Sequence, residues 1–405
     1  MSGEFKILVR KFGPFEKIVS LFWEQFAAKT GCNLKLDAVP LDLPDLHSAI
    51  LAGDFDAAHV NTDWLAQCWQ EKCLQDLTPY IGKEPPQDYP GGWDNALLKL
   101  QTFHDGVAGV PFHDGPECLI YRKDLFESPK EKEDFRMLTG RELKPPETWE
   151  DFMVVAEFFN RPEENLWGTL FALFPDGHNN IFDFALQVLS RGGVLEKNGR
   201  VMLHTPEARE AMAFYRKLVQ SPVLHPKSRE LESIGACWTF ARGEVAMMVN
   251  WFGFAAMCET VEGSRVKGRV DICAVPHAGD FMSPVSLNVY YTWSVSAKSR
   301  NKQTAYDFIR HCVTRENDKL LPFMGAIGCR KSTWTDAEVN AVIPYYNRME
   351  EIHRYASTLP RTPRWHGVSQ VMDRLVMEVV GTEKPIEGIL KDAQARSDVL
   401  IGENG

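Results

Sequence analysis

Apolar residues recur along this chain in two alternating rhythms, and the alternation predicts the architecture. Phe5 to Arg10 is a short apolar run of strand character that leads into Gly13-Pro14. Phe15, Ile18, Val19, Phe22 and Phe26 then mark one face of a helix that Gly31 ends. Leu34 to Val39 predicts a second strand. A second helix follows, with Leu43, Leu46, Ile50 and Leu51 inward and Gly53 as its stop. Ala57 to Val60 predicts a third strand, after which Asn61-Thr62-Asp63 caps a helix beginning at Trp64. This rhythm predicts right-handed crossovers on a mostly parallel sheet. In such sheets ligands sit beyond the carboxyl ends of the strands, where Phe12-Gly13 and Asn61-Thr62-Asp63 fall.

Further along, Val107 to Phe112 and Leu119 to Tyr121 are β-prone, and between them lies the polar loop His113-Asp114-Gly115-Pro116. Ser128 to Lys144 is charged and poorly periodic, and reads as an exposed insertion. Thr148 and Asp151 form a capping box for a helix that buries Phe152, Val155, Ala156 and Phe159. More helices are expected over Phe182 to Ser190 and Pro206 to Gln220, the latter capped by Thr205. Val245 to Asn250 predicts a buried strand, and Trp251 to Glu259 a short helix. Strands return at Asp271 to Pro276 and Val289 to Ser296. A helix faced by Ala305, Phe308, Ile309 and Cys312 follows, then a loop from Gly325 to Arg330. Thr335 to Glu338 reads as a second capping box.

At 405 residues the chain is longer than one hydrophobic core usually supports, so two lobes are expected. Its 44% hydrophobic and 25% charged residues are ordinary for a globular protein, and no run approaches the length of a membrane span. A net charge of −10 with no basic block argues against nucleic acid as a partner. Nine scattered cysteines cannot all pair, and none has C-x-x-C spacing, so buried free thiols are expected and a metal site is not. G-x-S-x-G, P-loop and H-E-x-x-H motifs are all missing, and Gly91-Gly92 lacks dinucleotide spacing. No cofactor is expected.

Several strings carry a resemblance. Gly109-Val-Pro, Leu119-Ile-Tyr-Arg-Lys-Asp-Leu-Phe126 and Pro145-Pro-Glu-Thr-Trp-Glu150 come in that order. They are followed by Thr205-Pro-Glu-Ala, Phe240-Ala-Arg-Gly-Glu-Val-Ala-Met-Met-Val-Asn-Trp251, Ala305-Tyr-Asp-Phe-Ile309 and Gly325-Ala-Ile-Gly-Cys-Arg-Lys-Ser332. Together they resemble the family 1 extracellular solute-binding proteins, the sugar-type substrate-binding components of ABC importers, which include maltose- and maltodextrin-binding proteins. Arg122 stands where that family usually has Asn, and the start of the chain shows no export-signal pattern. The resemblance implies an α/β fold of the type II periplasmic-binding-protein kind, with two lobes, each a mixed sheet flanked by helices, and a ligand cleft between them. It places the first lobe at 1–112 plus 272–322 and the second at 117–268 plus 329–405. The hinges are then expected near 113–116, 269–271 and 323–328. It further implies a monomer that closes on a small molecule and delivers it to an ABC permease, and a periplasmic or cell-envelope location, with the cytoplasm as the alternative.

A sugar site needs in-plane hydrogen-bonding groups and aromatic rings against the C–H faces. Asn61, Thr62, Asp63 and Trp64 offer that mix; capping alone is the competing reading. His113 and Asp114 lie in the crossing loop, where turn chemistry competes, and Phe12 and Gly13 are nominated by position. Asn250 and Trp251 follow a buried strand, and the resemblance puts a stacking aromatic there, against a core tryptophan as the alternative. Asp176 and His178 sit in the loop Phe174 to Asn180. Asn288 and Tyr290 fall near the second crossing, where alternation buries one of Tyr290 and Tyr291 and exposes the other. Arg330 and Trp334 complete the set. Acidic candidates would suit a polyamine and Arg330 an organic acid. A cytosolic sensor of the same fold is a further alternative, and a glycoside hydrolase using Asp63, Asp114 or Asp176 a distant one.

Overall fold

The computed structural model describes residues 3–175, 177–279, 281 and 283–402. It forms two compact units: residues through Gly115 with Val289–Glu350 and Arg361–Trp365, and Pro116–Asn288 with Glu351–Pro360 and the chain from His366 on.

In the first unit five strands lie in the order Lys35–Leu41, Glu4–Arg10, Ala57–Asn61, Tyr291–Val295, Val110–His113. The first three are parallel, Leu8 pairing with Val39 on one side and Ala58 on the other. Tyr291–Val295 runs antiparallel to both of its neighbours, which makes the sheet mixed. The helix Gly13–Thr30 buries Phe15, Ile18, Val19, Phe22, Trp23 and Phe26 against the sheet, the face that the spacing predicted. It stops because Gly31 adopts φ 70°, a left-handed conformation costly for any residue with a Cβ.

In the second unit the order is Val270–Cys273, Glu117–Arg122, Val245–Trp251, Trp167–Leu170. Glu117–Arg122 is buried along its length except at Arg122, and it pairs antiparallel with both neighbours. The register sets Glu117 opposite Trp251 and Cys118 opposite Asn250. Thr148 and Thr205 cap their helices as expected, each side-chain oxygen accepting from the amide three residues on, at 3.0 and 3.1 Å.

Three expectations change. Residues 272–288 belong to the second unit, because Ile272 pairs with Ile120 and Ser286–Leu287 pairs with Ala356–Ser357. Residues 329–350 belong to the first, where the Arg330 guanidinium binds Asp88 at 2.5 Å and the Gln87 carbonyl at 3.0 Å and lies 4.5 Å over the Trp93 ring. The segment from Ser128 is not irregular: Pro129–Thr139 is a helix. Its apolar signal is weak because Phe135 is its one buried apolar side chain, while Lys130–Asp134 and Arg136–Glu133 ion pairs, both 2.8 Å, occupy the solvent side. The cap near 335 also moves by one residue. Asp336, not Thr335, accepts from the amides of Glu338 and Val339.

All nine cysteines are free thiols, seven of them buried. Close packing in the second unit is tightest at Gly168, where an added Cβ would lie 2.0 Å from the carbonyl oxygen of Ala156. Gly168→Ala is therefore expected to destabilise the protein by about 3 kcal/mol, since backbone rather than a flexible side chain must move. Urea unfolding followed by circular dichroism measures it, and an unchanged midpoint would contradict the packing argument.

Candidate functional site

The strand ends of the first unit gather most of its nominated residues. Asn61 closes its strand, buried, and Thr62 exchanges bonds with Tyr290: amide to carbonyl at 2.9 Å, and the Tyr290 amide to Thr62 Oγ1 at 3.1 Å. Asp63 is half-buried. Its Oδ2 accepts the Trp365 indole N–H at 2.9 Å, while Oδ1 is enclosed without a hydrogen-bond partner. Burial raises its carboxyl pKa to about 7, opposed by the Trp365 bond. Asp63 does not cap the helix Leu65–Gln70; that N-cap is Trp64, which makes no side-chain cap and tilts against His47 at 5.1 Å.

His113 is held in place by its ring. Nδ1 accepts from the Ile327 amide at 3.0 Å, so that nitrogen carries no proton, and burial pushes the pKa down to about 4. Asp114 is fully buried beside it, its amide bonded to the Ile327 carbonyl at 3.4 Å. Phe12 is half-buried at the start of the first helix, edge-on to Phe15 at 5.2 Å, and Gly13 follows it, exposed.

Three nominated residues of this unit serve the interior instead. Tyr290 is buried, with its hydroxyl on the Leu97 carbonyl at 2.5 Å and on Gln101, so of the two tyrosines it is Tyr291 that is half-exposed. Arg330 is fully buried, with another bond to the Val313 carbonyl at 2.8 Å. Trp334 is buried with its indole N–H on the Gly328 carbonyl at 3.1 Å. A residue that sequence reading passed over is His59. It is fully buried, stacked on Phe112 at 4.5 Å and 4.1 Å from the Trp293 ring, with neither ring nitrogen bonded.

The second unit holds a denser arrangement. Trp251 is half-exposed, edge-on to Phe182 at 4.9 Å, and its cross-strand neighbour is Glu117. Sequence reading gave Glu117 no role; it opens the strand Glu117–Arg122. It is buried, its Oε2 has no hydrogen-bond partner, and burial with the neighbouring Asp183 charge raises its pKa well above the usual carboxylate range. Asp183 accepts a short bond from the Tyr215 hydroxyl, and burial lifts its pKa to about 7. One helical turn before it, Asn180 is fully buried; Nδ2 donates to Asp373 at 2.9 Å and Oδ1 has no partner.

Asn250 is buried and spent locally, Nδ2 on the Ser233 carbonyl at 3.3 Å and Oδ1 on the Trp251 amide at 2.9 Å. Asn288 is buried with both amide atoms unpartnered. His178 precedes the helix Asn179–Leu189, its ring 4.5 Å from Phe182, and Asp176 lies outside the described residues. Among the described residues there is no group of three or more His, Cys, Asp or Glu suited to a metal, and no helix long and apolar enough to cross a membrane.

These buried acceptors beside aromatic rings sit on a chain whose residues 13–319 match the model of the bacterial extracellular solute-binding proteins. The chain belongs to that family. A Brucella abortus protein described as a binding protein is 21% identical over 416 residues, covering 99% of this chain and 94% of its own. Maltose-bound MalE3 of T. maritima superposes with a TM-score of 0.85 at 19% identity, covering 98% of this chain and 100% of its own. An ABC-transporter solute-binding protein from Agrobacterium radiobacter K84, in complex with ribitol, gives 0.84 at 21%, covering 98% and 99%. One from Agrobacterium vitis S4, with D-mannitol, gives 0.83 at 16%, covering 100% and 99%. The α/β fold of two-lobe solute-binding proteins follows for this chain, and the family is one of binding proteins rather than enzymes.

The raised carboxyl pKa values have a signed consequence. Asp63 and Asp183 titrate near 3.8 when exposed and at about 7 in the folded protein, so folding favours their neutral forms. The stability they contribute is complete below about pH 4 and is lost as the pH rises toward 7. His113, with its lowered pKa, acts oppositely, weakening the fold as the pH falls from 6.5 toward 4. The comparison is therefore between variant and parent: Asp63→Asn and Asp183→Asn are each expected to gain a few degrees of Tm relative to parent between pH 5 and pH 8. A Tm difference independent of pH would contradict the assignment.

Proposed function

We propose that this protein captures a small carbohydrate or polyol and delivers it to an ABC-type permease, working outside the cytoplasm. The family match over residues 13–319 carries the reading, supported by neighbours of the same fold that hold ribitol, mannitol and maltose. The unsatisfied buried groups suit such a ligand. A polyol hydroxyl both donates and accepts, so it can meet the Asp63 and Glu117 carboxyls, the Asn180 oxygen and both ends of the Asn288 amide. Burying those atoms unpaired costs about 1–3 kcal/mol each, a cost that a bound ligand relieves. Trp64 and Trp251 supply half-exposed rings for the weakly apolar C–H faces.

We assign ligand contacts to Asn61, Asp63, Trp64, His113 and Asp114 in the first unit, with Phe12 and Gly13 at its edge. In the second unit we assign Glu117, His178, Asn180, Asp183, Trp251 and Asn288. No covalent chemistry is assigned to them, and nitrophenyl glycosides should be left intact.

A ligand that binds only the folded state raises Tm. In a thermal-shift panel of ribitol, mannitol, tagatose and maltose, at least one is expected to raise the Tm of the parent by several degrees. Asp63→Asn and Trp251→Ala are each expected to weaken its binding at least tenfold by calorimetry, without unfolding the protein. A panel with no shift for any sugar or polyol, or variants that bind like parent, would refute the reading.

A further inference from the structure

The second unit holds an acceptor-rich cluster that lacks a positive charge. Asn180 and Asp183 are three residues apart on the helix Asn179–Leu189, so they share a face. The Asp183 charge acts on Glu117, which brings the second carboxyl to the same place. The strand Ser286–Leu287 ties the group together. Ser286 Oγ donates to the Glu117 carbonyl at 2.5 Å, and the Asn179–Leu189 helix packs on this strand. Two residues on, the Asn288 side chain lies buried with both amide atoms unpartnered.

What the two carboxyls lack is a positive charge beside them. Glu117 Oε2 and Asn180 Oδ1 are both buried and unpartnered acceptors. Asn180 Nδ2 gives one of its two N–H groups to Asp373, which fixes the amide with Oδ1 as its unpartnered atom. The Tyr215 hydroxyl is spent on Asp183. Among the described residues no cationic side chain acts on either carboxyl; Arg229, whose charge reaches Tyr215, is bound to the Val380 carbonyl at 3.0 Å. Two carboxyls of one sign in a dry site cannot both ionise without a counter-charge. A neutral hydroxyl supplies a donor but no charge. A primary ammonium supplies three donors and the missing charge, and the Trp251 ring across the strand from Glu117 offers a cation-π face.

We infer that the second unit recognises a primary amine on its ligand through Glu117, Asp183 and the Asn180 carbonyl, so that the preferred solute is an amino sugar or amino polyol. This rests on the sugar- or polyol-capture reading and narrows it.

Matched ligands test it on the intact protein at pH 7.5 by calorimetry. Glucosamine is compared with glucose and N-acetylglucosamine, and glucamine (1-amino-1-deoxysorbitol) with sorbitol. The amine is expected to bind at least tenfold more tightly than both its hydroxyl isostere and its acetylated form. Glu117→Gln is expected to remove that advantage, and Asp183→Asn to reduce it. The ligand comparison needs no variant, so a variant that fails to fold does not blunt it. Neutral members binding as well as the amines would overturn the inference and leave sugar capture standing. If no sugar, polyol or amine bound, both would fall.

Discussion

Removing a carboxyl from water is costly unless something inside the protein answers it, and three carboxyls here are answered only in part. Asp63 has one indole N–H, Asp183 one phenol hydroxyl, and Glu117 leaves its Oε2 unpartnered. Much of the surrounding architecture serves to hold them in place. Trp365 comes from far along the chain to reach Asp63, Tyr215 is committed to Asp183, and an antiparallel register fixes Glu117 beside Trp251. A fold optimised for stability alone would place apolar or paired groups there.

The same economy shows in Asp318, whose carboxylate is answered at both oxygens. Asp318 accepts from the amides of Cys329 and Arg330, at 3.0 and 3.2 Å, and from Thr333 Oγ1 at 2.6 Å. Arg330 in turn spans Asp88, Gln87, Val313 and the Trp93 ring. This network knits the segment after residue 314 into the first unit. Asp63, in the same unit, keeps one carboxyl oxygen without a hydrogen-bond partner.

Much of the fold was legible in the chain because burial leaves a periodic trace. The face Phe15 to Phe26, the stops at Gly31 and Gly53 and the caps at Thr148 and Thr205 all follow from local rules. The helix Pro129–Thr139 escaped because ion pairs and the Ser128 cap support it with a single buried phenylalanine. The residues we propose as ligand contacts were nominated from sequence where a polar or aromatic residue follows a strand, as at Asn61, Asp63 and Trp251. Glu117 stands at the head of an apolar run with nothing local to mark it, and its neighbours Asp183 and Trp251 are brought near only by tertiary pairing. Arg330 looked available at the end of the loop from Gly325 and Trp334 just beyond it; both are buried, Arg330 by partners far away in the chain and Trp334 with its indole N–H on the nearby Gly328 carbonyl.

The uncrosslinked sulfurs give each half of the molecule its own clock. Cys68, Cys73, Cys312 and Cys329 are enclosed in the first unit, and Cys118, Cys237 and Cys258 in the second. An alkylating reagent reaches such a thiol only when its surroundings open, so modification rates read out local opening free energies. Mass spectrometry of the separate peptides then times how often either unit loosens alone, with half-buried Cys32 and Cys273 marking the fast limit.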